Sequence, residues 1–229
     1  MSMILVLETS GSFPSVGVID LHGNELYYFQ LLEKQSHAEQ LATMVDEAKK
    51  FVESSGGVLL AVAVNEGPGS YTGLRIGSSL AKGLCFALGI PLISVPGMLG
   101  TGQWFMQKND DLLGVWVMLD ARRDEVYGLF VSNDTSIETQ PKAMILPQDF
   151  PLGDDLSKVG FVGDCSEKVI RLLQLSDVES VEQAFISVKH LYSLVKEAFA
   201  ANIFSDLAYF EPFYLKEFQA GVSKKFSIS

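Results

Sequence analysis

The sequence predicts an α/β protein with mixed sheets in two lobes, and three observations carry that prediction. Three strand-like runs separated by short turns open the chain, so it begins as an antiparallel meander. Two further runs, "VLLAVAVN" and "IPLISV", are apolar throughout and each follows a helix-patterned stretch, the mark of parallel strands buried on both faces. The joint after the first of them, "NEGPGSYTG", is a glycine loop that turns a buried strand into a helix.

Taken in order, "MILVLETS" is an apolar run with a polar tip. "PSVGVID" alternates, with Val16 and Val18 on one face, and "HGN" makes a hairpin turn into "ELYYFQLLE". Over residues 36–57, Leu41, Met44, Val45, Ala48, Phe51 and Val52 recur at helical spacing. Ser36 is the expected N-cap, Glu39 its capping-box partner, and Gly56 and Gly57 end the helix. "VLLAVAVN" is the fourth strand, "SYTGLRIGSSLAKGLCFALG" the second helix and "IPLISV" the fifth strand. The order β-β-β-α-β-α-β is the ribonuclease-H-like topology shared by actin and sugar kinases, an analogy of fold that does not decide function.

The second half is less regular. "GVWVMLDARRDEVYGLFVSND" reads as strand, turn, strand, with "TSIETQ" and "KAMIL" as further short strands. Residues 147–158, rich in Asp and Pro, read as loop. "KVGFVGDCSEKVIRLLQL" reads as a strand and then a helix from about Ser166. "SVKHLYSLVKEAFAAN" reads as a helix capped by Ser187. The tail from Glu211 onward has no clear period. The Pro and three Gly of "VPGMLGTG" suggest a boundary, giving a first lobe at 1–100 and a smaller second lobe at 101–229, with the C-terminal helix and tail packing back on the first.

Composition narrows the class. With 48% hydrophobic and 20% charged residues the chain is globular. No apolar stretch reaches the roughly 18 residues of a membrane span, and the opening residues lack a basic region and cleavage site, so they read as a strand. A net charge of −11, with Lys and Arg scattered, argues against tight RNA binding by this chain alone. Cys85 and Cys165 form no CxxC pattern and read as free thiols in a reducing compartment.

The motifs leave alternatives open. Gly67, Gly69 and Gly73 are spaced one residue too far apart for a dinucleotide fingerprint, and no Lys follows as a P-loop needs. The loop nevertheless opens a helix, where outward N–H groups can hold an anion; the other reading is a tight turn that lets backbones pack closely. The following helix is apolar around most of its girth and thin at Gly77, Ser78, Ser79, Ala81 and Gly83, so it is buried on more than one side, in a core or against a partner chain. No His has a second His four residues on; His22 reads as a turn residue, His190 as a helix-surface one and His37 as a polar contact at a helix start. "DARRDEVY" gathers Asp120, Asp124 and Glu125 with Arg122 and Arg123, an acid–base site or a charged hairpin turn. Glu8 stands where a carboxylate for Mg²⁺ is placed in actin-like ATPases, or caps local N–H groups at a strand end. Ser70 has no base beside it in sequence, which leaves a peptidase reading without support.

"LVLETS", "NEGPGSYTGLRIGSSLAKGLCFALGIPLISV", "DARRDEVY" and "EPFYLK", in that order across nearly the whole chain, resemble the TsaB (YeaZ) family, partner subunits in the synthesis of threonylcarbamoyladenosine on tRNA. The resemblance implies an actin-like fold and a cytoplasmic, non-catalytic subunit that binds and activates TsaD, the metal-bearing transferase. TsaE, an ATPase, joins the complex. It implies no cofactor of the chain's own, since ATP/ADP and metal belong to the partners, and no membrane. It also implies contact with tRNA only through the complex, and a homodimer in isolation that competes for the TsaD surface.

The family's partner surface uses the first two helices. Carried over, it comprises His37, Leu41, Met44, Val45 and Ala48 on the first, and Tyr71, Leu74, Arg75, Ile76, Ser78, Ser79 and Lys82 on the second. The positions near any phosphate are Glu8, Thr9, Ser10, Gly67, Gly69 and Ser70. The chain departs from the family in having Glu8 for the usual Asp, Glu66 for a common Arg and Lys216 for a common Arg. The first two place acid, or a longer acid, near a bound phosphate. The alternative function is a stand-alone actin-like ATPase or small-molecule kinase, resting on Glu8-Thr9-Ser10 and the glycine loop.

Overall fold

A computed structural model describes residues 1–32, 37–132, 140–151, 156–175 and 181–216, without the side chains of 37–39. Its first sheet is built from β1 (Ser2–Glu8), β2 (Ser15–Asp20), β3 (Glu25–Gln30), β4 (Val58–Asn65) and β5 (Leu92–Val95), in the order β3-β2-β1-β4-β5. The meander β1–β3 is antiparallel, and β4 and β5 extend it in parallel. Helix α1 (His37–Ser54) crosses over from β3 to β4, and α2 (Tyr71–Leu88) from β4 to β5. Strand β1 is buried on both faces from Met3 to Glu8, as its unbroken apolar run requires of a central strand.

The second sheet repeats the plan. After α3 (Gly97–Met106) come β6 (Gly114–Asp120), β7 (Glu125–Ser132) and β8 (Lys142–Ile145) as a meander. Then β9 (Val159–Gly163), α4 (Ser166–Leu173) and β10 (Val181–Gln183) add two parallel strands, giving the order β10-β9-β6-β7-β8. The last helix, α5, runs Tyr192–Ala200. One apolar core lies between the sheets and is filled by Met98, Phe105, Leu191, Tyr192 and Val195 from α3, α5 and the turn before it. A second core lies under α1 and α2, and a third under α4.

Several sequence expectations change. "VPGMLGTG" is no linker: after Pro96 it is the first half of α3. Its glycines serve close packing, since a Cβ on Gly100 would lie 2.5 Å from the His190 carbonyl oxygen and one on Gly102 2.5 Å from a Val131 methyl. The boundary drawn at residue 100 thus falls inside a helix.

Ser187 makes no capping hydrogen bond to the turn that follows. That turn is a 3-10 segment, Val188–His190, and the α-helix begins only at Tyr192. The tighter turn carries His190 inward, so it is 7% exposed and not on a helix surface. Strand β10 had no apolar run to announce it. The expected strand at "TSIETQ" lies mostly, and the Ser36–Glu39 capping box wholly, outside the described residues and side chains.

Candidate functional site at the tip of the first lobe

The tip of β1, the end of β4 and the start of α3 meet on one side chain, Asn65. It is the single polar residue closing an otherwise apolar strand. Its amide nitrogen donates to Glu8 Oε2 at 2.5 Å and to Ser10 Oγ at 2.9 Å, and its Oδ1 accepts from the N–H groups of Gly67 and Gly97, both at 2.9 Å. Two backbone donors on Oδ1 fix which way the amide faces.

Glu8 is fully buried. Its Oε1 accepts from Ser10 N at 2.5 Å, Ser10 Oγ at 2.6 Å and Gly11 N at 3.3 Å. Burial pushes its carboxyl above the usual range, and the hydrogen bonds from Ser10, Asn65 and Gly11 pull against that. Glu8 therefore caps its own strand end, with donors aimed at both carboxylate oxygens.

The glycine loop folds onto this tip. Gly67 N is held by Asn65, Ser70 N donates to Ser10 O at 2.7 Å, and Gly73 N donates to Ser70 Oγ at 3.3 Å. A Cβ on Gly73 would lie 2.0 Å from Thr9 O, and one on Gly77 2.2 Å from Thr9 Oγ1. Helix α2 thus crosses β1's tip at backbone contact, which only glycine allows. Thr9 is fully buried with its hydroxyl against Gly77 and no hydrogen-bond partner, so it faces the helix and not an open cleft. Gly69 sits against Ser10 in the same way. Ser70 is exposed, and its hydroxyl serves as the N-cap of α2.

The residues assigned to a partner face divide in two. Leu41, Met44, Val45 and Ala48 of α1, and Leu74 and Ser78 of α2, are buried within this chain. They point at the sheet because helical spacing marks the core-facing stripe first. Ile76 is partly buried against the same core. The outer stripe of α2 is Thr72, Arg75, Ser79, Gly83 and Phe86, with Phe86 83% exposed. It carries no acidic residue in a chain of net charge −11. The outward residues of α1 include Asp46, Glu47 and Lys50, with Lys50 held 2.9 Å from both acids. The His37 side chain lies outside the described residues.

Tyr71, Arg75 and Lys82 meet the C-terminal segment. Tyr71 packs on Tyr214 with ring centroids 4.8 Å apart, and Arg75 lies 4.3 Å over the Tyr71 ring. Lys82 donates to the carbonyls of Ala208 and Phe210. Glu66, in the family's Arg position, uses its backbone here: its N–H donates to Val95 O and its carbonyl accepts from Phe213 N.

The second lobe's tip is built differently. In the "DARRDEVY" turn, Arg122 and Arg123 both have positive φ, at 72° and 52°. Asp120 pairs with Lys168 of α4 at 2.7 Å, and its Oδ1 also accepts from the backbone N–H of Arg122 at 3.1 Å. Asp120 N donates to Asp164 Oδ1, and burial raises the Asp164 carboxyl. Burial also raises the thiols of Cys85, to about 11, and Cys165, which disfavours the thiolate at both. Among the described residues no three His, Cys, Asp or Glu side chains are grouped so as to hold a metal ion, and no helix is long and apolar enough to cross a membrane. Sequence reasoning passed over Asn65, Asp164, Lys168 and Tyr214. For Asn65 the signal was present: one amide at the end of a fully apolar strand, next to the loop.

A family model described as "TsaD: tRNA N6-adenosine threonylcarbamoyltransferase" matches residues 32–221. The chain belongs to this family. Within it the chain is similar to the TsaB (YeaZ) proteins. The tRNA threonylcarbamoyladenosine biosynthesis protein TsaB of Haemophilus influenzae is 30% identical over 128 residues, covering 54% of this chain and 51% of that one. The Escherichia coli protein of the same name is 32% identical over 124 residues, covering 54% and 52%. The chain therefore spans about half the length of these curated relatives. The solved structure of YeaZ from Pseudomonas aeruginosa is 26% identical, with a TM-score of 0.72 over 94% of this chain and 100% of that one. The fold is accordingly the actin-like one of this family.

Proposed function

We propose that this chain acts in tRNA threonylcarbamoyladenosine biosynthesis as a non-catalytic subunit that binds and activates a TsaD-type transferase through the outer face of α2. Family membership supports the pathway. One observation carries the finer reading: the Gly67 and Ser70 N–H groups bond to Asn65 and Ser10, and the Gly73 N–H to the capping Ser70 hydroxyl. These three donors fasten the loop and the start of α2 onto the tip of β1, which makes a mount for the helix. The mount presents Thr72, Arg75, Ser79, Gly83 and Phe86 to solvent. Small residues flanked by one exposed aromatic let a second helix approach closely and give it an anchor.

In this reading ATP and metal are held by the partners, TsaE joins through the assembled complex, the complex works in the cytoplasm, and an isolated chain pairs with a second copy through the same face. The test is transfer of threonylcarbamoyl to tRNA by the cognate TsaD and TsaE with and without this chain. Activity that depends on the chain and is lost with Phe86→Glu supports the proposal. Equal activity without the chain overturns it. Hydrolysis of Mg-ATP by the isolated chain would favour the ATPase alternative instead.

A further inference from the structure

The segment after α5 is tied down along its whole described length, and the ties run from one lobe to the other. Ser205 bridges to the edge strand β5, with its N–H on Leu92 O at 2.8 Å and its hydroxyl 2.9 Å from Ser94 Oγ. Asp206 turns the chain by accepting from the N–H groups of Ala208 and Tyr209. Leu207 and Phe210 pack on the core beneath α2, while Lys82 holds the carbonyls on either side of Tyr209. Phe213 then lies on the glycine loop: its N–H donates to Glu66 O at 2.7 Å, and its carbonyl would touch a Cβ on Gly67. The Tyr214 ring packs at a tilt on Tyr71. Lys216 finally crosses to the second lobe, where it pairs with Glu125 at the start of β7 and lies 6.0 Å from the Tyr127 ring.

We propose that residues 205–216 are an intramolecular strap that locks the glycine loop onto the start of α2 and ties it to the second lobe, so that the loop opens only when the strap lifts. The segment has no regular secondary structure of its own. Its side-chain ties reach Ser94, Lys82 and Glu125, all partly exposed, the class of contact that opens at low free-energy cost. The strap also lies along the edge of α2 next to the stripe proposed for a partner, though the inference does not depend on that partner.

The experiment is amide hydrogen exchange on the full chain, read at Gly67 and Ser70, whose N–H groups bond within the first lobe. Lys216→Gln removes only the tie to the second lobe, and Tyr214→Ala removes the ring contact with Tyr71 and the hydrogen bond with Arg75. The strap predicts that Lys216→Gln speeds exchange at Gly67 and Ser70 by about threefold and that the double variant does so by about tenfold or more, with β2 and β3 amides unchanged. Retained wild-type protection at Gly67 and Ser70 in both variants overturns the proposal, whether or not Phe213 itself loosens. If Tyr214→Ala does not fold, Lys216→Gln alone decides.

Discussion

The two lobes repeat one topology yet finish their tips in opposite ways. In the first, a carboxylate at the end of β1 is sealed beneath a glycine loop, and Asn65 satisfies it from the next strand. In the second, the corresponding strand end, Asp120, stays about half exposed and is met by Lys168 from a short helix. The difference follows from what comes after the parallel strand. After β4 the chain supplies glycines that let an 18-residue helix cross at backbone contact; after β9 it supplies an 8-residue helix that brings only a lysine to the tip. The same strand order thus gives a rigid helix mount on one side and a solvated charged turn on the other.

Stability should break along that line. Asn65→Ala leaves Glu8 Oε2, Gly67 N and Gly97 N without partners, and should cost about 3 kcal/mol or more in denaturant unfolding. Glu8→Gln should cost about 2 kcal/mol, because one end of the new amide sets a donor against either Asn65 or the Ser10 and Gly11 donors. Asp120→Ala removes an exposed ion pair and should cost about 1 kcal/mol or less. Equal costs at the two tips would refute the contrast.

The next effect is a pH dependence placed between the lobes. His190 stacks on Trp104 with centroids 4.2 Å apart, and its Nδ1 lies 3.1 Å from Thr101 Oγ1. Since that hydroxyl donates to Gly97 O, Nδ1 carries the proton in the neutral ring. Burial pushes its pKa down to about 4 from 6.5. The unfolded chain therefore binds more protons between these values, and stability falls as pH drops from about 6.5 toward 4, by about 3 kcal/mol at the limit. Glu8, shifted upward, works in the opposite sense: its contribution is lost as pH rises above the ordinary carboxylate value. Unfolding midpoints across pH 4–7 for wild type and His190→Phe check this, and the variant should lose the acid slope.

The smallest effect is expected at Thr9. Thr9→Val removes a buried hydroxyl with no partner and should change stability by less than about 1 kcal/mol, with stabilisation as the expected sign. A large loss would mean that the hydroxyl has a role the packing does not reveal.

Most of the first lobe was legible because its signals are local: apolar runs, helical spacing and glycine turns. Leu41, Met44, Val45 and Ala48 recur at helical spacing, and Leu74 belongs to a helix apolar around most of its girth, but spacing alone does not say whether such surfaces meet their own sheet or another chain. The burial of His190 was hidden because it depends on a 3-10 turn in place of an α-turn, a difference of one hydrogen-bond register. The strap was hidden because its ties are backbone carbonyls, single polar side chains and an aromatic face contributed from about ninety to 150 residues away, none of which leaves a local pattern.

In the proposed function the tip of the first lobe presents α2 to a partner. Titration of cognate TsaD with wild type, Phe86→Glu and, as the second-lobe control, Asp120→Ala tests it most directly. Phe86→Glu should bind at least about tenfold more weakly, or about 1.4 kcal/mol, with Asp120→Ala like wild type. Unchanged binding by Phe86→Glu, or a loss confined to Asp120→Ala, would contradict it.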